Sequence, residues 1–218
     1  MEEKKLTTAL LMRLPVYLDY LRALPADGPE SVSASSMAKD LGLNDVLVRK
    51  DLAVISGGGR RRVGHLRRKM IEDIERLLDY GTTCNAILVG TGKLGQALLT
   101  SEEFEPYGTR ILAGFDLTSE QEQELEGKPI LPLDQMEVFC SRRSIHMGII
   151  TAPPETAQTA CDRLVGCGIN VIWNFAATLL RVPSHVIVQN LNLAASLAAL
   201  RMQQYQRMQL QSNPPALS

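Results

Sequence analysis

Residues 86–95 have the sequence Ala86-Ile87-Leu88-Val89-Gly90-Thr91-Gly92-Lys93-Leu94-Gly95. Four apolar residues typical of a buried strand precede three glycines, and an apolar helix follows them. Asp116 ends the next apolar strand, about 20 residues beyond the last glycine. A strand, this glycine spacing, a helix and a distant acid together are typical of a dinucleotide-binding turn. We therefore predict that a Rossmann-type sheet begins here.

Each part of this turn has an expected role toward a dinucleotide. Gly90 permits the tight turn, Gly92 lets the backbone approach a pyrophosphate, and Gly95 allows the helix to pack closely on the strand. The N–H groups that open the helix would bind the phosphates. Asp116 would bind the adenosine ribose hydroxyls and repel a 2′-phosphate, which favours NAD(H) over NADP(H). The alternative is a strand-to-helix turn without a ligand. The predicted contacts in this region are Gly90, Thr91, Gly92, Lys93, Leu94, Gly95 and Asp116.

Strands and helices alternate from this turn onward. Such alternation indicates a parallel sheet with helices on both faces. Thr151, Ala152 and Pro153 follow the fourth strand, where the loop should face the ligand crevice, so they are further predicted contacts. The predicted strands are 86–89, 111–115, 130–131, 147–151, 171–173 and 186–188.

The N-terminal segment has the pattern of a winged helix-turn-helix. Leucines recur at helical spacing over 3–24, and Pro15 should kink or split that helix. Two short helices joined by a turn at Gly42 are typical of a helix-turn-helix. We expect the first from Ser35 or Ser36 to Leu41, and the second from a cap at Asn44 or Asp45 to about Ile55. Glycines and arginines in 57–65 predict a flexible hairpin, the wing, and a helix over 67–80 leads into the sheet.

Positive charge is concentrated in this N-terminal segment. The whole chain has a net charge of −1, but the stretch from Arg49 to Lys69 holds eight Lys or Arg and one acid, Asp51. Such a stretch indicates contact with a polyanion, and the alternative is a solvated basic surface. Arg49 would pair with a guanine and Lys50 with a phosphate. The wing arginines would reach the DNA backbone or minor groove. The predicted DNA contacts are Arg49, Lys50, Arg60, Arg61 and Arg62.

Composition sets the broad class of the protein. The chain is 45% hydrophobic and 22% charged, which is ordinary for a globular protein. There is no apolar run of about 18 residues and no signal-peptide core, so we expect a cytoplasmic protein. The cysteines lack zinc spacing, so we expect reduced thiols and no metal; a redox pair of Cys161 and Cys167 is an alternative. The four cysteines are Cys84, Cys140, Cys161 and Cys167.

Taken in order, these pieces resemble the Rex family of redox-sensing transcriptional repressors. The resemblance spans about residues 6–205. Matching segments are 13–18 (Arg-Leu-Pro-Val-Tyr-Leu), 48–52 (Val-Arg-Lys-Asp-Leu), 62–65, 89–95, 114–116, 151–158, 168–169, 174–176, 182–183 and 188–190.

The resemblance implies a bacterial homodimer that binds a palindromic operator in double-stranded DNA and senses the NADH/NAD⁺ ratio. It implies a winged-helix domain with a linker helix over 1–80 and an NAD(H)-binding Rossmann domain over 81–189. A dimerisation helix and tail, domain-swapped in the family, would occupy 190–218. It adds Asn174 and Phe175 to the cofactor contacts.

This chain departs from the family pattern at three places. Its wing ends Arg61-Arg62-Val63-Gly64-His65, where the family usually has Arg-Gly-Val-Gly-Tyr. Ser101 stands near a usual tyrosine, and Asn192 stands where the family has an aspartate whose charged contact switches partners with ligand state. Arg22 matches one partner of that aspartate. A neutral Asn192 would bond an arginine more weakly, so we expect a weakened switch.

Other functions remain open from the sequence. One is a winged-helix regulator whose ligand response is lost or altered, and another is coenzyme A binding on the same fold. A third is an NAD-dependent dehydrogenase, but His65, His146 and His185 form no catalytic pattern with Lys or Asp. We therefore expect a protein that is not an enzyme.

Overall fold

A computed structural model describes residues 6–56, 64–79, 81–117 and 121–212. The chain divides into two compact units, Met1–Thr82 and Thr83–Ser218. Each unit has its own hydrophobic core and is described by itself.

The N-terminal unit contains four helices and two very short strands among its described residues. The strands pair antiparallel, with Val32 opposite His65. The two central helices and the turn at Gly42 confirm the predicted helix-turn-helix, whereas residues 57–63 of the predicted wing lie outside the described residues. The elements are α1 (Thr8–Ala23), β1 (Ser31–Val32), α2 (Ala34–Asp40), α3 (Asp45–Ser56), β2 (His65–Leu66) and α4 (Arg67–Leu77).

Helix α1 continues through Pro15, so the proline does not split it, and the alternative of a kink stays a prediction. Proline removes one backbone hydrogen bond, to the carbonyl of Leu11. Leu11 lies on the exposed side of α1, where water can bond that carbonyl. Buried side chains lie both before and after the proline, so both halves of the helix pack on the same core. The buried residues of α1 are Leu10, Leu14, Tyr17, Leu18 and Leu21.

Side-chain caps and one left-handed residue set the helix ends that the sequence placed differently. The first helix starts at Thr8 rather than residue 3, because the Thr7 hydroxyl accepts the N–H of Leu10. Ser33 caps α2, so this helix begins before Ser35. The side-chain oxygen of Asn44 accepts the N–H groups that open α3. Helix α4 ends at Leu77, before the predicted residue 80, because Asp79 has a φ of 52°.

The C-terminal unit alternates strands with helices. Short 3-10 turns over Glu105–Tyr107 and Leu133–Gln135 join some of them. The elements are β3 (Cys84–Val89), α5 (Lys93–Thr100), β4 (Thr109–Asp116), β5 (Gln123–Leu125), β6 (Lys128–Pro132), α6 (Met136–Ser141), β7 (Met147–Ile150), α7 (Pro154–Gly166), β8 (Val171–Asn174), β9 (Ile187–Asn190) and α8 (Leu193–Ser212).

These strands form one seven-stranded sheet in the order β5-β6-β4-β3-β7-β8-β9. All neighbours are parallel except β5, a short strand absent from the sequence prediction, which pairs antiparallel with β6. The order reverses between β3 and β7. In open sheets of this kind the ligand crevice lies there, at the carboxyl ends of the strands. The predicted Rossmann-like sheet is confirmed.

Strand β3 shows why the sheet is covered on both faces. Its apolar side chains alternate, so Ala86 and Leu88 join one core cluster while Ile87 and Val89 join the other. All four are fully buried. A strand buried on both faces has a continuous apolar sequence, which is the pattern that predicted it.

Helix α8 differs from the other helices of this unit. Every residue from 192 to 209 is exposed, including six large apolar side chains. It begins at Leu193, three residues after the predicted start. None of the described helices is both long and apolar enough to cross a membrane.

Candidate functional site

The glycine turn after β3 is held tightly against the loop after β7. Gly90 has a φ of 102°, which favours glycine, and its N–H donates to the carbonyl of Phe115 at 2.8 Å. A Cβ on Gly90 would lie 2.7 Å from Cα of Ala152. The backbones of the two loops therefore approach each other as only a glycine permits.

Gly95 and Thr151 hold the same two loops together. A Cβ on Gly95 would overlap the carbonyl oxygen of Gly90 and lie 2.8 Å from Oγ1 of Thr151. The Thr151 hydroxyl donates to that carbonyl at 2.5 Å. Gly95 thus has the predicted packing role. Thr151, predicted as a cofactor contact, has its hydroxyl engaged in joining the two loops.

Gly92 differs from the other two glycines because it faces open space. A Cβ added there would meet no protein atom within 4 Å. Gly92 is also the N-cap of α5 and provides no side chain to cap the first-turn N–H groups. Lys93 and Leu94, in that first turn, are both exposed. The space beside Gly92 therefore fits the predicted approach of a phosphate group.

Asp116 lies at the carboxyl end of β4 and is bonded to the glycine turn. Its Oδ2 accepts the backbone N–H of Thr91 at 2.8 Å and the Thr91 hydroxyl at 2.7 Å. The acid predicted to bind a ribose and the turn predicted to bind phosphates are therefore directly connected. Sequence spacing indicated the acid but not its bond with Thr91.

Asn174 and Phe175 lie at the end of β8. The fully buried Asn174 amide donates to the carbonyl of Thr178 and to the side chain of Asn190, and its oxygen accepts the N–H of Ala176. The Phe175 ring packs on Trp173 with centroids 4.5 Å apart. The Asn174 side chain therefore organises the loop after β8, and a contact with a cofactor stays a prediction for both residues. On the neighbouring loop, Ala152 is buried and Pro153 is exposed at the N-cap of α7.

Helix α3 presents two of the predicted DNA contacts to solvent. Arg49 and Lys50 are both exposed. The Arg49 guanidinium pairs with Oδ2 of Asp45, one turn earlier, at 2.6 Å. Arg60, Arg61 and Arg62 lie outside the described residues.

Asp51, between these exposed cations and the core, was missed as a structural residue. Only 6% of it is exposed. Its carboxylate accepts two bonds from Arg13, at 2.7 and 3.0 Å, and one from the Tyr17 hydroxyl at 2.7 Å. Burial is the larger cause, and the hydrogen bond to Asp51 the next, of a rise in the pKa of Tyr17 to about 12. This cluster joins α1 to α3, and the position of Asp51 between the buried Val48 and Ile55 is the signal that indicates it.

Arg67 is a second cation with a structural role. Its guanidinium donates to the carbonyls of Leu21, Leu24 and Pro25, at 2.9, 2.6 and 2.7 Å. The carbonyls of Leu21 and Leu24 belong to the last turn and the C-cap of α1, where a cation is favourable, and that of Pro25 follows directly. Arg67 therefore belongs to the fold, and the basic surface is smaller than the sequence count suggested.

Comparisons with known proteins agree with this arrangement. A family model described as "Putative DNA-binding protein N-terminus" matches residues 5–53, and one described as "CoA binding domain" matches residues 82–178. The redox-sensing transcriptional repressor Rex of Porphyromonas gingivalis is 36% identical over 199 residues, which is 91% of each chain. That of Syntrophomonas wolfei is 35% identical over 197 residues, 90% of this chain and 94% of the relative. The chain belongs to the Rex family.

Solved structures of a Rex-family repressor, RSP, have the same fold. One crystal structure of RSP has a TM-score of 0.84 and 27% identity, and covers 96% of this chain and 99% of its own. RSP in complex with β-NAD⁺ and operator DNA has a TM-score of 0.84 and 28% identity, and covers 98% of this chain and 100% of its own. The Rex architecture therefore extends over nearly the whole chain.

The predicted switch residues of this Rex chain have partners within their own units. Arg22 pairs with Glu75 of α4 at 2.8 Å. The side-chain oxygen of Asn192 accepts the N–H of Ala195 at 2.9 Å, which caps α8. Ser101 ends α5, and its hydroxyl accepts the N–H of Glu103. Nδ1 of His65 lies 2.8 Å from the Ser56 hydroxyl, and burial lowers the pKa of this histidine.

The cysteines of this Rex chain are all free thiols. Cys161 is buried in the core, and the thiols of Cys167 and Cys140 are hydrogen-bonded to each other. The alternative of a redox pair of Cys161 and Cys167 stays a prediction. Burial raises the pKa of Cys140 to about 12, which keeps its thiol protonated at neutral pH. Within the described residues, no group of three His, Cys, Asp or Glu could hold a metal ion.

We expect Asp51→Asn to lower the free energy of unfolding of the N-terminal unit by about 2 kcal/mol. The substitution leaves Arg13 without its counter-charge and weakens the bond with Tyr17, although Arg13 keeps some contact with water. Thermal and urea unfolding measure the change. Glu72→Gln is the matched control, because Glu72 pairs with Arg68 at 3.0 Å on an exposed face. Equal stabilities for the two variants would show that the buried cluster does not stabilise the fold.

Proposed function

We propose that this chain is a DNA-binding transcriptional repressor that senses the cellular NADH/NAD⁺ ratio as a cytoplasmic homodimer. The observation that carries the proposal is the presence, in one chain, of an open glycine turn joined to Asp116 and of two exposed cations, Arg49 and Lys50, on α3. The first is a site for a dinucleotide and the second for a major groove. Both halves are supported by the Rex relatives, which are redox-sensing transcriptional repressors, and by the structures of RSP with β-NADH and with β-NAD⁺ and operator DNA.

NAD(H) fits the residues at the switch point of the sheet. The open space beside Gly92 and the first turn of α5 would take the pyrophosphate. The carboxylate of Asp116 would take the adenosine ribose. When bound, the cofactor supplies a nicotinamide ring that is positively charged in NAD⁺ and neutral in NADH. The proposed function includes no catalytic step.

Coenzyme A is a poorer fit at the same place. One family model that matches this unit is named for it. Coenzyme A carries a 3′-phosphate on its adenosine ribose, and the negative charge of Asp116 would repel that group. The same repulsion disfavours NADP(H), so the charge at the end of β4 selects a ribose without phosphate.

DNA binding would use α3 and the wing. The exposed Arg49 would contact a base edge, and the exposed Lys50 would contact a phosphate. The wing arginines, which lie outside the described residues, would contact phosphates as well. In a dimer, two such helices meet adjacent half-sites of a palindrome. NADH can release DNA only if it binds one dimer arrangement more tightly than the other.

A regulator with an altered ligand response is the second candidate. The observation that favours it is the bonding of the switch positions. Asn192 caps its own helix and Arg22 pairs with Glu75, so neither needs the other for a partner. A neutral asparagine also makes a weaker contact with arginine than an aspartate does.

Titration of the DNA complex with NADH and with NAD⁺ separates the two candidates. We expect the dimer to bind a palindromic duplex, selected from a random pool, more tightly than a scrambled duplex. NADH should lower this affinity by a larger factor than NAD⁺ does, as measured by fluorescence anisotropy. Arg49→Ala should cost roughly 1–3 kcal/mol of specific binding while NADH binding is unchanged. If the duplex binds but the two nucleotides act equally, the second candidate is correct. If no sequence is preferred over the scrambled duplex, both candidates fail.

A further inference from the structure

A chain of polar contacts runs from α2 to the exposed face of α3. The Ser35 hydroxyl donates to Oδ1 of Asp45 at 2.6 Å. The other oxygen of that carboxylate, Oδ2, accepts from Nη2 of Arg49, also at 2.6 Å. Both oxygens of Asp45 are therefore engaged, and its carboxylate is held in one orientation beside the guanidinium.

Helix capping does not explain Asp45. The side chain of Asn44 already accepts the N–H groups of Val46 and Leu47 that open α3. The bond from Ser35, and then the charge of Arg49, lowers the pKa of Asp45, so this group is a carboxylate at neutral pH. A negative charge at this place opposes the approach of DNA phosphates. A helix that only had to attract DNA would be better without it.

A fixed carboxylate can instead distinguish base edges. In the major groove, guanine presents two acceptors and thymine one, and a carboxylate repels all of them. The exposed amino groups of cytosine and adenine are donors, and a carboxylate accepts from them. Asp45 and Arg49 are one turn apart on the same face of α3, so they would face neighbouring positions of one half-site. Arg49 retains N–H groups for a guanine, since only Nη2 bonds Asp45.

We propose that Asp45 is a specificity-determining residue, which with Arg49 restricts each half-site to a guanine beside a base with an exposed amino group. Ser35 is a positioning residue, because it acts only through Asp45. This inference rests on the proposed DNA-binding function. It specifies in addition which bases the recognition helix excludes beside the guanine.

Three variants separate a positioned carboxylate from a simple change of charge. Asp45→Asn removes the charge and keeps the shape. Ser35→Ala keeps the charge and removes the bond that orients it. Asp27→Asn, in the exposed loop after α1, removes one negative charge away from α3 and is the control. The full-length protein and each variant are used to select binding sequences from a random duplex pool. Affinities for the selected and the scrambled duplexes are then measured over a range of salt concentrations.

We expect Asp45→Asn to reduce the ratio of specific to non-specific affinity by about tenfold, with the loss at one position of each half-site. Ser35→Ala should relax the same position without altering the salt dependence. Asp27→Asn should raise all affinities slightly and leave the selected sequence unchanged. The inference is overturned if Asp45→Asn and Asp27→Asn behave alike, or if Ser35→Ala selects as strictly as the native chain. In that case the proposed function still stands if Arg49→Ala loses the selected sequence. If the native chain selects no sequence, both fail.

Discussion

Gly92→Val should abolish NADH binding, with a loss of more than about a hundredfold in affinity, while the protein stays folded. The free energy of unfolding should fall by no more than about 1 kcal/mol, the cost of a poorer N-cap. The reason is that a Cβ at Gly92 meets no protein atom within 4 Å, so the valine side chain would fill the space proposed for the pyrophosphate without displacing the protein. Valine also adopts the extended backbone of this residue, with φ −64° and ψ −176°, without strain.

Trp173 provides the measurement, because it is the single tryptophan of the chain. Its emission should be quenched by energy transfer as NADH binds to the native protein, and calorimetry gives the affinity independently. Thermal unfolding reports whether each variant is folded. These readouts separate loss of the ligand from loss of the fold.

Two other glycines serve as matched controls. Gly166→Val, in open space at the end of α7, should change neither binding nor folding much. Gly95→Ala should damage both, because its new methyl group would overlap the carbonyl of Gly90. Normal NADH affinity in folded Gly92→Val would reject the assignment of this space to the pyrophosphate.

Removing the residues after 189 should convert the proposed dimer to monomers at micromolar concentration. Helix α8 exposes 54–68% of each of six large apolar residues, an area that a monomeric protein rarely leaves uncovered. Small alanines on the same helix would allow a partner to approach closely. The apolar residues are Leu193, Leu197, Leu200, Met202, Tyr205 and Met208.

Substitutions within α8 test the same point without truncation. Leu197→Glu with Leu200→Glu should dissociate the dimer and also weaken binding to a palindrome, because two linked half-sites are no longer engaged together. Gln203→Glu with Gln206→Glu adds the same charge to the same helix at polar positions and should leave the dimer intact. Light scattering and sedimentation give the mass. A truncated or doubly substituted protein that remains dimeric would show that another surface forms the interface.

The nucleotide half of the site was predictable because glycine positions are dictated by backbone geometry. The positive φ at Gly90 and the close contact at Gly95 permit only glycine at these two positions. The spacing of the glycines in the sequence therefore identifies the turn directly. Strand β3 was equally clear because burial on both faces requires a continuous apolar run. Strands β1 and β5 were missed since two or three residues carry no periodicity.

Contacts between distant residues were what the sequence did not show. Asp51 and Arg67 were counted as charges in a basic stretch, yet their partners lie 38 and about 45 residues away in α1 and the loop after it. The continuous helix through Pro15 depends in the same way on burial along both halves of α1. Local sequence pattern predicts helices and strands. The role of a single charged residue depends instead on which helices and strands pack together.

We expect that the cofactor preference proposed for this chain cannot be changed by a single substitution. The usual route from NAD(H) to NADP(H) replaces the acid at the end of the second strand with a smaller or basic residue. Here Asp116 also holds Thr91, by accepting its backbone N–H and its hydroxyl, in the middle of the turn proposed to bind the phosphates. A substitution of Asp116 alone would loosen the turn, and it would weaken the binding of NAD(H) and of NADP(H) together. We therefore expect that a switch in preference toward NADP(H) requires a second substitution that gives Thr91 a compensating partner.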